Sequence, residues 1–313
     1  MTILGTTRLV GLIGDPVSHS LSPAMHNPAF EHNGIDFAYV PLRVRPTDLK
    51  SAVEALRIFN FRGANVTLPH KEAVIPYLDE LSDISRVMGV VNTIVNDNGR
   101  LLGTTTDPQG FLEGFRMAGH SFEGKSIAIC GNGGSARSIA FALLTMDKPS
   151  RVVLVGRDGS KVKKLAADIS TSLINQNTNS LASILEYATW EEYSSLSLGI
   201  QIVVNATSLG MHPNIGASPL QTADFQAGQI IYDIVYVPEQ TRLLQLAQEF
   251  GLKTVGGLGM LVHQGLAAFK LWTGTTPDVT QFFASARQQL AHSGRPDDHK
   301  PVPPSGPQPP INN

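Results

Sequence analysis

A single cysteine, Cys130, stands in the 313-residue chain, which excludes an internal disulfide and any cysteine-built metal centre. A reducing compartment is expected, and we read the protein as cytoplasmic. Long apolar runs are scarce: none approaches the ~20 residues that a membrane-spanning helix needs, and residues 1–11 lack the basic start and apolar stretch of a secretory leader. Charge of one sign is missing too. With 24 Lys and Arg against 26 Asp and Glu, there is no basic field to draw nucleic acid and no acidic tail. The default partner is a small polar molecule. His19, His26, His70 and His263 lie near the motifs described below but show no metal-ligand spacing. They read as structural or solvent-facing, and no metal is expected.

What is present alternates short apolar runs with amphipathic ones, over a length that allows two domains. Residues 9–13, 36–42 and 63–66 read as strands, and residues 23–33 and 47–59 as helices, a βαβαβ order. Residues 71–81 should be helical despite Pro76. Residues 91–96 and 100–104 form a predicted hairpin through Asn96-Asp97-Asn98-Gly99. After Asp107 comes a helix to about Ala118, then predicted strands at 127–130, 151–155, 200–205, 230–233 and 253–255, with helices from Ser135, Ser160 and Glu239 between them. The expected fold is α/β: an N-terminal βαβ-type domain at 1–107, and a Rossmann-like doubly wound parallel-sheet domain at 108–257. Residues 170–183 turn to Ser, Thr, Asn and Gln and read as a surface loop or frayed helix end. The Pro-rich, polar residues 292–313 should be disordered.

Two features carry chemistry. The stretch Asn-Val-Thr-Leu-Pro-His-Lys at 65–71 and the pair Thr106-Asp107 supply a candidate proton-transfer lysine and carboxylate. The turn Gly131-Asn132-Gly133-Gly134-Ser135-Ala136 then follows a strand and opens a helix. In Gly-x-Gly-x-x-Ala the first glycine permits a tight turn, the second lets pyrophosphate approach the backbone, and the small third residue lets helix and strand close up. These are the parts of a dehydrogenase. Past the second strand of this unit stand Gly156-Arg157-Asp158. Arg157 favours a 2′-phosphate and so NADP, whereas Asp158 either holds ribose hydroxyls, favouring NAD, or caps the next helix. NADP is the preferred reading, with NAD as the alternative.

On its motifs the chain resembles the shikimate dehydrogenase family. The matching segments are Ser18-His19-Ser20-Leu21-Ser22-Pro23-Ala24-Met25-His26-Asn27, residues 65–71, Val91-Asn92-Thr93, Thr106-Asp107, residues 131–137, Asn205-Ala206-Thr207-Ser208-Leu209-Gly210-Met211, residues 232–241 and residues 257–265. The resemblance implies that the first domain binds shikimate and is completed by returning helices at 258–290. It implies reversible NADPH-dependent reduction of 3-dehydroshikimate in aromatic amino acid biosynthesis, by a monomer or homodimer. It further implies that Ser20, Ser22 and Tyr236 hold the substrate carboxylate, while Asn65, Thr67, Asn92, Asp107 and Gln264 read the ring hydroxyls. Thr207, Ser208, Ile234, Gly257 and Met260 would line the cofactor cleft together with the Gly-rich turn and Arg157.

Chemistry favours the same residues. A ketone that gains a hydride develops alkoxide character and needs a positioned proton donor, which serves as base in reverse. Lys71 is the candidate donor, at an expected helix start whose dipole disfavours a cation, with Asp107 as the opposing carboxylate. Bland roles also fit: Asp107-Pro108 and Ser22-Pro23 each look like a helix cap followed by proline, and Leu261 looks like ordinary core. One departure stands out. The family's Gly-x-Asn-Thr-Asp reads here as Gly103-Thr104-Thr105-Thr106-Asp107, leaving the hydrogen bonding of Asp107 open. Two rivals stay open as well: a quinate/shikimate dehydrogenase using NAD, and a non-catalytic nucleotide sensor on the same scaffold.

Overall fold

The computed structural model describes residues 2–174 and 179–293, and these build two six-stranded sheets. The first half runs β1 (Arg8–Gly14), α1 (Ser22–His32), β2 (Phe37–Arg43), α2 (Leu49–Ile58), β3 (Gly63–Val66), β4 (Glu80–Leu81), α3 (Asp83–Met88), β5 (Thr93–Asp97), β6 (Arg100–Thr104) and α4 (Asp107–Met117). Helix α2 buries Leu49, Val53 and Leu56, one face of a 3.6-residue repeat. The sheet order is β2-β1-β3-β5-β6-β4. Strands β1, β2 and β3 are parallel, while β3, β5 and β6 pair antiparallel. The β5–β6 hairpin closes where Asp97 pairs with Arg100, and both intervening residues, Asn98 and Gly99, have positive φ, as a type I′ turn demands.

The helix expected at 71–81 does not form. Its residues run through turns, a 3₁₀ segment at Ile75–Tyr77 and the short β4. Pro76 removes a helical donor, and tertiary partners claim other backbone groups: the Lys71 carbonyl accepts from Val91 N–H at 2.8 Å and Asp79 N–H donates to the Leu101 carbonyl at 3.0 Å.

The second half supplies β7 (Ser126–Cys130), α5 (Gly134–Met146), β8 (Arg151–Gly156), α6 (Gly159–Ile174), α7 (Asn179–Ala182), β9 (Leu185–Thr189), α8 (Trp190–Leu196), β10 (Ile202–Asn205), β11 (Ile230–Asp233), α9 (Arg242–Glu249), β12 (Lys253–Val255), α10 (Leu258–Thr273) and α11 (Val279–Ser293). Its sheet, ordered β12-β11-β10-β7-β8-β9, is parallel throughout. The chain reverses direction across the sheet between β7 and β10, which opens a crevice at their carboxyl ends, the ordinary ligand position of such sheets. Residues 170–183, read as a surface loop or a frayed helix end, hold the end of α6 at Ile174 and the short α7 from Asn179 to Ala182, so the helix-end reading fits better than the loop. Residues 175–178 lie outside the described residues. So does most of the expected disordered tail, although α11 reaches Ser293, past its assigned onset at His292.

Helix α10 joins the two halves. Leu258, Leu261, Val262, Phe269 and Trp272 pack with Val10 and Tyr39 of the first sheet and with Met25 and Phe30 of α1. Met260 belongs to a different core cluster, with Phe111 and Phe115 of α4 and Ile129 of β7. Contact with α4 is close enough to require glycine. A Cβ on Gly114 would fall 2.7 Å from the Met260 nitrogen, and one on Gly110 would fall 2.7 Å from the Met260 carbonyl oxygen. Among the described residues no helix is long and apolar enough to cross a membrane.

Candidate active site

The carboxyl ends of the first sheet converge on one ion pair. Lys71 Nζ donates to Asp107 Oδ2 at 2.5 Å, and the side chains are 17% and 7% exposed. The other carboxylate oxygen accepts from Asn92 Nδ2 at 2.7 Å, so both oxygens are held. Two expectations change here. Lys71 sits in a turn, so no helix dipole opposes its charge. The N-cap of α4 is Thr106, and Asp107 is the first helical residue, where the helix dipole favours a carboxylate. Likewise α1 begins at Ser22, with Leu21 at the cap and no side-chain cap bond.

Asn92 organises the surrounding amides and hydroxyls. Its Oδ1 accepts from Thr106 N–H and from Thr93 Oγ1, each at 2.8 Å. Gln264 on α10 brings Oε1 to 3.4 Å from Asn92 Nδ2 and donates through Nε2 to the Leu261 carbonyl. Asn65 is buried. It accepts from Tyr39 Oη at 2.8 Å and donates to the Asn92 carbonyl and to Thr93 Oγ1, both at 3.1 Å. Thr67 is half-buried on the loop after β3, held by its N–H on the Ile13 carbonyl. Ser20 Oγ accepts from Ser22 N–H at 3.2 Å, and the Ser22 hydroxyl hydrogen-bonds Tyr39. Half-buried Tyr236 lies close enough to Tyr39 to repel its ionised form, and burial raises the pKa of both phenols. Sequence reasoning missed Tyr39, which ties Ser22 to Asn65. As an aromatic on a strand it reads as core, which it also is, stacked 4.6 Å from the buried His26 ring. His70 is likewise buried, its Nε2 2.7 Å from the Val44 carbonyl oxygen.

Across the crevice lies the Gly-rich turn. Gly131 has φ +133°, and a Cβ there would fall 3.0 Å from the Ala206 carbonyl oxygen. Asn132 and Gly133 are exposed, Gly134 and Ser135 half-buried, and Ala136 fully buried at the α5–sheet contact. Nothing lies within 4 Å of a Cβ built on Gly133. The turn thus opens a backbone cradle at the start of a 13-residue helix, the arrangement that suits a pyrophosphate. Glu72, next to Lys71, brings Oε1 to 3.7 Å from the same construction on Gly134. Glu72 thus brings the segment that carries Lys71 up to the start of α5 and the cradle. Thr207 is tied by N–H and hydroxyl to Asn205 Oδ1, at 3.0 and 2.7 Å, while Ser208 is exposed. Gly257 starts α10 against Ile234, whose carbonyl oxygen would lie 2.2 Å from a Cβ there. Met260 is 9% exposed and Leu261, as expected, is core.

Comparison with known proteins decides the family. The shikimate dehydrogenase substrate binding domain matches residues 12–94, and the shikimate 5'-dehydrogenase C-terminal domain matches residues 257–282. A shikimate dehydrogenase (NADP(+)) of Salinibacter ruber is 44% identical over 87% of this chain and 94% of its own. The chain belongs to the shikimate dehydrogenase family. A solved shikimate 5-dehydrogenase of Thermus thermophilus, in complex with NADP(H) and shikimate, superposes with a TM-score of 0.79 at 34% identity, covering 90% of this chain and 100% of that one. A quinate dehydrogenase of Corynebacterium glutamicum in complex with NAD gives 0.81 at 29% identity, covering 90% and 99%.

Within this shikimate dehydrogenase scaffold, the departure at Thr105 leaves the ion pair intact. Thr105 is buried with an unpartnered hydroxyl, and Asp107 takes its bonds from Lys71 and Asn92 instead. Past β8, Asp158 is committed to capping α6: its Oδ1 accepts from Ser160 N–H at 3.1 Å, Lys161 N–H at 3.2 Å and Ser160 Oγ at 2.6 Å. The Ser160 hydroxyl and Lys161 N–H hold its carboxyl below the usual carboxylate range. Arg157 is exposed and forms no ion pair among the described residues.

The crevice also holds a buried acid that sequence reasoning did not single out, although it lies within the matched segment 232–241. Asp233 Oδ1 accepts from Asn205 Nδ2 at 2.9 Å and Val235 N–H at 3.0 Å, and Oδ2 accepts from Thr241 Oγ1 at 2.6 Å. Through Asn205 it fixes the Thr207 turn. Burial pushes its carboxyl up to about 6 from the ordinary 3.8, against the pull of these hydrogen bonds. Between those values the native state holds more protons than the unfolded chain, so this contribution is fully present below the lower value and is lost as pH rises through the upper one. The loss corresponds to about 2 to 3 kcal/mol. Asp233→Asn is expected to remove that slope in urea unfolding free energies measured from about pH 4 to 7. An unchanged slope would show that Asp233 does not titrate in this window.

Proposed function

We propose that this chain catalyses the reversible NADP-dependent interconversion of shikimate and 3-dehydroshikimate, with Lys71 and Asp107 as the proton-transfer pair. The observation that carries the reading is this buried ion pair, on a segment whose next residue, Glu72, reaches the Gly134 side of the Gly131–Ala136 cradle. Residues 1–107 and 258–290 form the substrate side, and residues 108–257 the cofactor side.

The exposed backbone of Asn132 and Gly133, the half-buried Gly134 and Ser135 and the open space at Gly133 fit a pyrophosphate, and free Arg157 fits a 2′-phosphate. Thr207, Ser208, Ile234, Gly257 and Met260 line the remaining cleft. A nicotinamide held there would supply the hydride donor and acceptor for the carbon bearing the reacting oxygen. In the reductive direction Lys71 Nζ gives a proton to that oxygen as alkoxide character develops; in the oxidative direction it takes the proton from the hydroxyl. Asp107 orients the ammonium, and Asn92 keeps the carboxylate from rotating away. Ser20, Ser22 and Tyr236 hold the substrate carboxylate. Thr67, Asn92 and Gln264 meet the ring hydroxyls. Asn65, already engaged by Tyr39, Asn92 and Thr93, sets the floor of the site.

Purified protein mixed with shikimate and NADP is expected to produce reduced-cofactor absorbance, more efficiently than with NAD. Arg157→Ala should raise the KM for NADP by roughly 10- to 100-fold, the value of a charge-assisted contact, while leaving the KM for NAD within a few-fold. Stronger turnover with NAD and quinate would instead favour the quinate-type reading. Saturable cofactor binding without turnover of either substrate would favour a sensor.

A further inference from the structure

The opposite end of the first sheet holds a cavity of about 530 Å³ lined by Arg8, Phe37, Arg62, Asp97 and Trp272 among others. It lies at the amino ends of β1, β2 and β3, whereas Lys71 and Asp107 stand beyond the carboxyl ends, so it is no part of the catalytic crevice. Its size is ordinary for a small-molecule site.

Two guanidinium groups share this space without a carboxylate at ion-pair distance. Arg62 donates through Nε to the Trp272 carbonyl at 2.8 Å and through Nη1 to the Asn96 carbonyl at 2.7 Å. The first of these bonds caps the carboxyl end of α10, and its Nη2 has no hydrogen bond within the described residues. Arg8 stands 5.8 Å from the Phe37 ring centroid and forms no ion pair among the described residues. Burial and the nearby Arg8 cation act against the charge of Arg62 and outweigh the opposing pull of Asp97, so the pair carries an electrostatic cost that a bound anion would relieve. Asp97, the acid lining the cavity, accepts from Asn98 Nδ2 at 3.0 Å and acts on Arg62 through its charge, without an ion-pair contact to either arginine among the described residues. Ile35 and Phe37 add an apolar wall beside the two cations.

We propose that this cavity binds a small organic oxyanion, a carboxylate or phosphate on a compact ring, with the anionic group between Arg8 and Arg62 and the ring against Ile35 and Phe37. Guanidinium forks suit both oxyanions, and the phenyl wall suits a flat body. The site rests on this chain's own arginines and is independent of the activity assigned above.

The test uses the full chain, saturated with shikimate to fill the catalytic crevice, and titrates benzoate and phenyl phosphate separately while following the Trp272 indole N–H signal. Saturable binding of at least one probe is expected. Arg8→Glu should weaken it by at least tenfold with turnover unchanged, since the Arg8 side chain makes no hydrogen bond within the described residues. Asp97→Asn should tighten it several-fold by removing the one opposing charge. The two probes distinguish carboxylate from phosphate as the group preferred. Absence of saturation with both probes, binding that Arg8→Glu leaves intact, or binding that shikimate displaces competitively would each overturn the proposal.

Discussion

Replacing Lys71 with alanine is expected to lower kcat for shikimate oxidation by roughly 10²- to 10⁴-fold, the usual worth of a positioned acid or base, while leaving the Kd for NADP within a few-fold. The two outcomes separate because Lys71 faces the crevice from the substrate side. Its ammonium meets Asp107 at 2.5 Å, whereas the cradle at Gly131–Ala136 belongs to the other sheet and does not depend on it. Steady-state kinetics with shikimate and equilibrium titration with NADP check both halves. If the variant keeps turnover within several-fold of the parent, Lys71 is not the proton-transfer group. Loss of NADP affinity to the same extent would mean a collapsed crevice rather than a missing acid.

Gly110→Ala is the second large effect. Alanine is the better helix former by about 1 kcal/mol, so on a free helical surface this change would stabilise the protein. Here the added methyl would lie 2.7 Å from the Met260 carbonyl oxygen, 2.7 Å from Gln264 Cβ and 2.8 Å from the Gln264 nitrogen. Two of those atoms are helix backbone and cannot move alone, so α10 must shift away from α4. The expected cost is on the order of 3 kcal/mol, the upper part of the usual range for an overpacked core. Because α4 begins with Asp107 and α10 carries Gln264, the same shift separates the groups that meet around Asn92. A displacement near 1 Å costs roughly 10²-fold in kcat/KM. Thermal unfolding and kinetics should therefore fall together; a stabilised variant of full activity would show that the two helices are not pinned at this contact.

Much of the fold was legible because local chemistry and tertiary demand agree. Residues 9–13 form a buried strand with a continuous apolar run, and Asn98-Gly99 supplies the positive φ values that its hairpin needs. Where they disagree, prediction failed. Residues 71–81 looked amphipathic, but Pro76 and the bonds from Val91 and to Leu101 took the backbone elsewhere. Strand β9 was missed because Ala188 is its one fully buried residue, which leaves no apolar period to read. Helix α8 was missed although its signal was present: Thr189 and Glu192 form a capping box.

The site was legible as residue types and not as an arrangement. Lys71 and Asp107 are 36 positions apart, and Asn92 and Gln264 are 172 apart; no periodicity brings such pairs together. Asp107, expected at the cap of α4, takes its first helical position and Thr106 the cap, since cap position is set by backbone geometry that a Thr-Asp-Pro string allows in either register. Tyr39 stayed hidden because its phenyl ring is core while its hydroxyl serves the site. Asp158 illustrates the reverse case: helix capping was one of two readings, and three hydrogen bonds to Ser160 and Lys161 place it there.

The most direct test of the central claim is a crystal structure of the chain with shikimate and NADP⁺ bound together. The account predicts one ring hydroxyl within hydrogen-bond distance of both Lys71 Nζ and the Asp107 carboxylate, with its carbon facing the nicotinamide. A ring bound in the crevice with no hydroxyl in reach of Lys71 would contradict it.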